Sequence, residues 1–550
     1  MKKCKYFNYI ILISLFITTV SCNKRFLDVV PTSQLSAETI FGDKSGGDLF
    51  LYDVYNGLPD AESMPGYNYD SFESWADNAV CRFSWSMSWQ NGIARSYGAN
   101  TYTGLYNHDY PAIPFLYDKI FVRIRKCNVF IKNVTEKAAN FPDTWRITRL
   151  AEARFLRAYY YHQAWMAYGG LPIITEPLDR LTQGDSIFHP RATFDETFKF
   201  ITNELQSCAN DLPNEVGSGR ATKGAALTLK GWCELFAGHY DLAAATNKQV
   251  IDLGVYNLFP DYNQQFFAEN NNNNESIFAY QHIPGTKPSG RSALFGPSGD
   301  YNSLGCMEPT QNLIDDYRMS NGLPITDPNS GYDPNQPYLN REPRFYQSII
   351  YAGSVFAGKT YSIGDLFNPG LQNQTGYSRR KGIGEQLHVN PWGASQEGSN
   401  FVYFRFAEVL LNYAEAKLEL NQIDASVIGA IDQLRLRGGI PSLEDTYLRS
   451  TFSQSEMRTI IRNERRIELA FEVKRYWDLI RWRTAEVILN QPVYGINIEN
   501  GMYVKILVHS MSFTSPKNYL FPIYQPWIDS NPVMKKETNA EMTNGQNPGY

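Results

Sequence analysis

Cysteine is scarce in this chain: 7 of 550 residues, none spaced as Cys-x-x-Cys. Neither a disulfide framework nor a zinc ribbon is therefore indicated. The 7 histidines form no His-x-x-x-His pair, and no Gly-x-Ser-x-Gly elbow occurs, so zinc-hydrolase and serine-hydrolase chemistry has no local support. Basic residues do not outnumber acidic ones: 51 Lys and Arg against 56 Asp and Glu leave a net charge of -5. Nothing draws such a chain to phosphate backbones, and no nucleic-acid partner is expected. Charged residues make up only 19 %, below the roughly 25 % usual in globular proteins, which excludes disorder driven by excess charge. No apolar run reaches the ~20 residues of a membrane-spanning helix.

What the chain has in abundance is aromatic rings, 36 Tyr, 32 Phe and 10 Trp, or 14 % of the whole. They are too many for all to lie in the core, although the length supplies about three or four domains' worth of chain. At the start, Lys2, Lys3 and Lys5 precede a short apolar run from Tyr9 to Ile17, followed by small and hydroxylated residues through Ser21. This reads as a secretory signal peptide over residues 1–21. Cys22 then follows Thr19-Val20-Ser21 and resembles the lipid-modified cysteine of a bacterial lipoprotein, with Thr19 where Leu is usual; the alternative is an ordinary cleavage site beside an incidental cysteine. The five later cysteines, Cys81, Cys127, Cys208, Cys233 and Cys306, are widely scattered and are expected as small buried apolar residues.

Periodicity predicts a mainly α fold, a tetratricopeptide-like helical-repeat scaffold carrying an irregular, loop-rich lobe. The clearest helix pair covers 223–236 and 241–253, with Gly231, Gly238, Tyr240 and Ala243 at the spacing that lets two helices cross closely. Thr222 suits its N-cap and Gly254 the residue after its last turn. A second pair covers 405–420 and 425–437, closing on Gly438-Gly439; a third covers 147–168 and 193–212, and 117–134 belongs to a fourth. The mature chain divides into an N-terminal half, 22–254, with an aromatic loop at 67–117, an irregular lobe at 255–400 rich in Gly, Pro and Asn, and a C-terminal half, 401–550. Within the lobe, 276–280 and 345–351 are the candidate strands.

Four separated segments carry a family resemblance. They are Asn23-Lys24-Arg25-Phe26-Leu27-Asp28 with Pro31; Ala151-Glu152-Ala153-Arg154-Phe155-Leu156-Arg157-Ala158-Tyr159-Tyr160 through Tyr168-Gly169-Gly170-Leu171-Pro172; Arg405-Phe406-Ala407-Glu408-Val409-Leu410-Leu411-Asn412-Tyr413-Ala414-Glu415-Ala416; and Glu464-Arg465-Arg466-Ile467-Glu468-Leu469-Ala470-Phe471-Glu472 with Arg475-Tyr476-Trp477-Asp478-Leu479 and the tail Gln546-Asn547-Pro548-Gly549-Tyr550. In this order they resemble the SusD/RagB family of outer-membrane nutrient-binding lipoproteins. The resemblance implies a non-enzymatic protein, lipid-anchored on the surface of a Gram-negative cell as a lid on a SusC-like TonB-dependent transporter. It implies capture of glycans or, in some members, peptides, with no cofactor; calcium is not indicated.

Glu464, Glu468 and Glu472 fall at i, i+4, i+8 among Arg462, Arg465, Arg466 and Arg475. Ion pairs along a helix face account for them better than a glycosidase acid/base pair, which needs a substrate-wide gap. The segment 219–224 lacks the Gly-Lys-Ser/Thr ending of a phosphate loop and reads as a helix start. The aromatic loop is more telling, because a sugar presents an apolar C–H face and a rim of hydroxyls, and a binder needs flat rings beside amides. Here Trp85, Trp89, Asn91, Tyr97 and Tyr102 stand among Ser, Gly and further Asn, whereas Trp75 sits on a more regular stretch and is expected to pack. By position in the family, the lobe contributes Arg291, Tyr301 and Asn302. A protein-interaction module and a surface glycan-degrading enzyme remain the other readings.

Overall fold

The computed structural model describes residues 37–60, 62, 72–81, 117–215, 219–368, 373–385 and 396–550. Trp85, Trp89, Asn91, Tyr97, Tyr102 and Cys22 lie outside them. Helix α1 is Lys44–Asn56, α2 Tyr117–Glu136, α3 Asp143–Tyr168, α4 Phe194–Asp211, α5 Lys223–Phe236, α6 Tyr240–Asp252, α7 Phe406–Glu419, α8 Ala425–Arg437, α9 Gln454–Glu468 and α10 Arg475–Arg481. Among the described residues, no helix is long and apolar enough to cross a membrane.

Their boundaries follow from local chemistry. Thr222 accepts from Ala225 N at the start of α5, and Thr193 with Glu196 and Ser453 with Glu456 form capping boxes on α4 and α9; such caps are worth about 1 kcal/mol each. Gly254 and Gly439 take φ of +68° and +78° just past α6 and α8, a conformation that costs other residues a Cβ clash. Gly231 is required by packing, since a Cβ there would meet Asn247 Nδ2 at 2.6 Å. That close crossing is what makes α5 and α6 one repeat.

The helices pack in succession, α2 on α3, α3 on α4, α4 on α5, α5 on α6, and then α6 directly on α7. The stack is thus continuous in space although residues 253–405 intervene in the sequence. The intervening lobe enters and leaves at one place. With strands β1 Ala79–Val80, β2 Ser276–Tyr280, β3 Glu308–Pro309, β4 Phe401–Arg405, β5 Pro492–Glu499 and β6 Met502–Ser510, β2 pairs antiparallel with β4, Ser276 opposite Arg405 and Tyr280 opposite Phe401. This closes the insertion at its base. Among the described residues every sheet has only two strands.

The helices share one large buried cluster, in which Trp165 packs tilted against the partly buried Phe194, ring centroids 4.6 Å apart. The lobe has its own, holding Leu294, Phe295, Tyr301, Cys306, Tyr317 and Phe345 together with Phe471 from beyond α9. Cys81, Cys127, Cys208, Cys233 and Cys306 are buried thiols, and burial pushes Cys127 up to about 12, which keeps it un-ionised and unreactive. The expected strand at 345–351 is corrected: Pro343–Ser348 is a helical turn with Pro343 at its start, and only Ile349–Ile350 is extended, paired with Ser378–Arg379. Proline presets the helical φ and needs no donor at that position.

Candidate ligand-binding site

The aromatic loop springs from a root, Phe72 to Cys81, that is clamped by the C-terminal signature. Trp75 is 2 % exposed and lies edge-on to Tyr476 at 5.7 Å, a packing residue as expected. The Glu73 carboxylate accepts from Phe471 N at 2.9 Å, Val473 N at 3.1 Å and Asn78 Nδ2 at 2.7 Å. Two arginines converge on Asp77, Arg466 at 2.8 Å and Arg475 at 2.9 Å. Burial works against the Asp77 charge, yet the two guanidinium groups hold the carboxyl well below its ordinary range. Two residues on, β1 pairs with β3 of the lobe, Ala79 opposite Pro309, and Cys81 joins the lobe core, which also holds Tyr301. The loop that carries Trp85 and Trp89 therefore starts from a rigid point against the lobe.

Of the residues expected from the lobe, Tyr301 is 7 % exposed; its ring tilts on Phe356 at 5.4 Å and its hydroxyl donates to Gly384 O. It braces this edge of the lobe. Asn302, with φ of +61°, is exposed beside it, and Lys359 reaches Asp300 and Asp365, each at 2.7 Å, on the same rim. Arg291 is reassigned. It is 2 % exposed, its Nε donates to Glu62 at 2.7 Å, and its terminal nitrogens donate to Phe266 O at 2.6 Å and Asn400 O at 2.7 Å. Each guanidinium nitrogen is engaged inside the protein, so Arg291 ties the base of the lobe and is not placed to meet a ligand.

The signature carboxylates form no surface stripe. Glu464, Glu468 and Glu472 are buried, and their partners come from distant elements: Arg344 donates to Glu464 and, at 3.0 Å, to Glu468; Arg405 lies 2.7 Å from both Glu468 and Glu472; Lys381 lies 2.6 Å from Glu472. Glu275 accepts from Arg405 at 2.6 Å and from Arg437 at 3.0 Å. Arg465, read from the sequence as one of the same series, turns instead to Asp478 on α10 at 2.8 Å. Burial alone would raise Glu472, but Arg405 and Lys381 draw it down to about 2. All three carboxylates are buried and paired with cations from distant elements, so the stripe leaves no substrate-wide gap between an acid and a base.

A family sequence model described as SusD family matches residues 262–550, and one described as starch-binding associating with outer membrane matches residues 25–230. The chain belongs to the SusD family. A SusD-like protein of Formosa agariphila, P38, is 23 % identical over 514 residues, covering 90 % of this chain and 95 % of the relative. A solved SusD-like carbohydrate binding protein from Bacteroides fragilis is 25 % identical with a TM-score of 0.77, covering 90 % of this chain and all of that one. A second SusD-like structure from the same species has 24 % identity, a TM-score of 0.78 and coverage of 95 % and 100 %. In this SusD-family chain the signature holds the 72–81 segment in place. Arg466 and Arg475 were legible as letters, but Glu73 and Asp77, to which the signature is tied from 398 positions away, stand in no motif of their own and escaped sequence reasoning.

Proposed function

We propose that this SusD-family chain is a surface glycan-binding protein, lipid-anchored to the outer membrane at Cys22, that captures oligosaccharide with residues of the 67–117 aromatic loop and of the irregular lobe. It then hands the ligand to a SusC-like TonB-dependent transporter without turning it over. The observation that carries the reading is the fixed root of a loop rich in Trp, Tyr and Asn against the lobe core that holds Tyr301. A sugar presents an apolar face and a rim of hydroxyls, which rings beside amides match. The similar carbohydrate binding protein of Bacteroides fragilis supports a glycan over a peptide, and the match of residues 25–230 to a starch-binding family that associates with the outer membrane supports outer-membrane association. The transporter partner rests on the family resemblance. Each buried CH₂ contributes about 0.8 kcal/mol, so an anchor of two or more acyl chains is stable where one is marginal.

One cell-based experiment covers the three parts. Intact cells carrying the chain are expected to retain labelled polysaccharide from a panel, uncleaved, and detergent extraction through a tag on the chain to recover a large β-barrel in near-equal amount. Cys22→Ala should release both the protein and the retention into the soluble fraction. Cleaved product, retention of peptides only, or recovery of the chain alone after crosslinking would each overturn the corresponding part.

A further inference from the structure

A separate cleft of about 350 Å³ opens where the C-terminal end of α1 meets the end of β2, lined by Tyr52, Tyr55, Asn56, Arg220, Tyr280 and Lys287 among others. Its size lies within the ~300–1,000 Å³ of small-molecule sites, and none of its lining residues belongs to the lobe core around Tyr301. Among the described residues both charged groups on its wall are cations, and no carboxylate lines it.

Each cation is held in place on a tyrosine. The Arg220 guanidinium lies over the rings of Tyr52 at 4.7 Å and Tyr55 at 5.9 Å, and is fixed from behind by Glu152 at 2.6 Å, with Asp48 at 3.6 Å. Glu152 is 1 % exposed and also accepts from the Tyr55 hydroxyl at 2.8 Å, so the guanidinium, Tyr55 and the carboxylate form one rigid unit. Across the cleft the Lys287 ammonium stands 4.3 Å above the Tyr280 ring and donates to the neutral Asn56 amide oxygen. An ammonium has three donors, so this one has capacity for a ligand. Its burial disfavours the charged form, with Asp60 acting the other way, and a bound anion would relieve that cost. Tyr52 remains 53 % exposed, an apolar face at the mouth against which a pyranose can lie.

We propose that this cleft is a second binding site of the protein, for an anionic sugar residue, a uronate or a sulfate ester, on the captured glycan. The inference rests on the glycan-binding reading above. The anion meets Arg220 and Lys287 while the ring lies on Tyr52; two cations on fixed aromatic supports select charge, whereas the loop selects ring faces.

The test uses the purified mature protein and three hexasaccharide probes: an oligogalacturonate, a sulfated galactan fragment and the neutral galactan fragment. They are titrated into wild type, Trp85→Ala/Trp89→Ala, and the same loop variant with Lys287→Gln or Tyr52→Ala added. The loop variant is expected to keep binding at least one charged probe but not the neutral one. Lys287→Gln and Tyr52→Ala should each weaken that residual binding about tenfold or more, as should raised salt. Which charged probe survives tells carboxylate from sulfate. If wild type binds oligosaccharide but the loop variant binds no charged probe, or binds charged and neutral alike, or ignores Lys287→Gln, this inference alone is wrong. If wild type binds no oligosaccharide at all, the proposed function fails and this site with it. Lys287→Gln removes a partly exposed head group, so it decides the matter even where Tyr52→Ala melts early.

Discussion

Arg405→Ala is expected to lower stability by about 3–5 kcal/mol, out of a total of about 5–15 kcal/mol for a folded protein. The residue sits at the end of β4, just before α7, and its guanidinium reaches Glu275 at 2.6 Å, Glu468 at 2.7 Å and Glu472 at 2.7 Å, with a further bond to Glu468 O at 2.7 Å. Alanine would leave the carboxylates buried with too few cations, and such uncompensated charge is far costlier than the intact network is favourable. Arg405→Lys should fall between, since an ammonium carries the charge without the planar fork. The measurement is a thermal melt followed by circular dichroism, where a loss of this size in a chain of this length appears as about 3–4 °C, or as insoluble protein. A midpoint within about 1 °C of wild type would overturn this expectation. The same network sets the acid limit. The folded value of Glu472, about 2, lies below the ordinary 4.5, so its contribution is complete above 4.5 and is lost as pH falls through about 2, roughly 3 kcal/mol for this group. The wild-type midpoint should fall through that window, and more steeply than that of Arg405→Ala.

Trp85→Ala and Trp89→Ala are each expected to weaken glycan binding about thirtyfold or more, equivalent to ~2 kcal/mol, and the pair together to remove loop-dependent binding. Their melting midpoints should stay at the wild-type value. The contrast is with Trp165, wholly buried against Phe194, whose truncation belongs to the class that costs about 3–5 kcal/mol of stability. Tyr301→Ala now belongs nearer the second class, because the ring packs on Phe356 and the hydroxyl ties Gly384; its effect on ligand follows from a loosened lobe edge. Isothermal titration beside melting curves separates the cases. Early melting of the loop variants, or unchanged affinity, would make these rings packing residues and move the site elsewhere.

The parts legible in the sequence are those set by neighbours a few residues away. Thr222 capping α5, Gly254 and Gly439 past α6 and α8, and the small residue Gly231 between α5 and α6 all appear as the periodicity and turn chemistry demanded. Failures of reading fall where a local rule competed with a distant partner. Glu464, Glu468 and Glu472 have helical spacing, which suggested pairs along one helix, but α9 ends at Glu468 and its carboxylates turn inward to Arg344, Arg405 and Lys381. Arg291 was expected at the ligand by its position in the family; its partner is Glu62, 229 positions earlier.

The sequence alone thus determined helix pairs of the repeat type and membership signals of one family, since hydrogen-bond caps, glycine turns and apolar periodicity are written within a turn or two of chain. Tertiary structure alone decided that α6 meets α7 across the whole lobe, that Asp77 anchors the aromatic loop through Arg466 and Arg475, and that Arg220 and Lys287 face one cleft. These juxtapositions join residues up to about 400 positions apart. They depend on how the path of the chain returns on itself, and buried charges that must find partners in a low-dielectric interior take whichever opposite charge that path brings within reach.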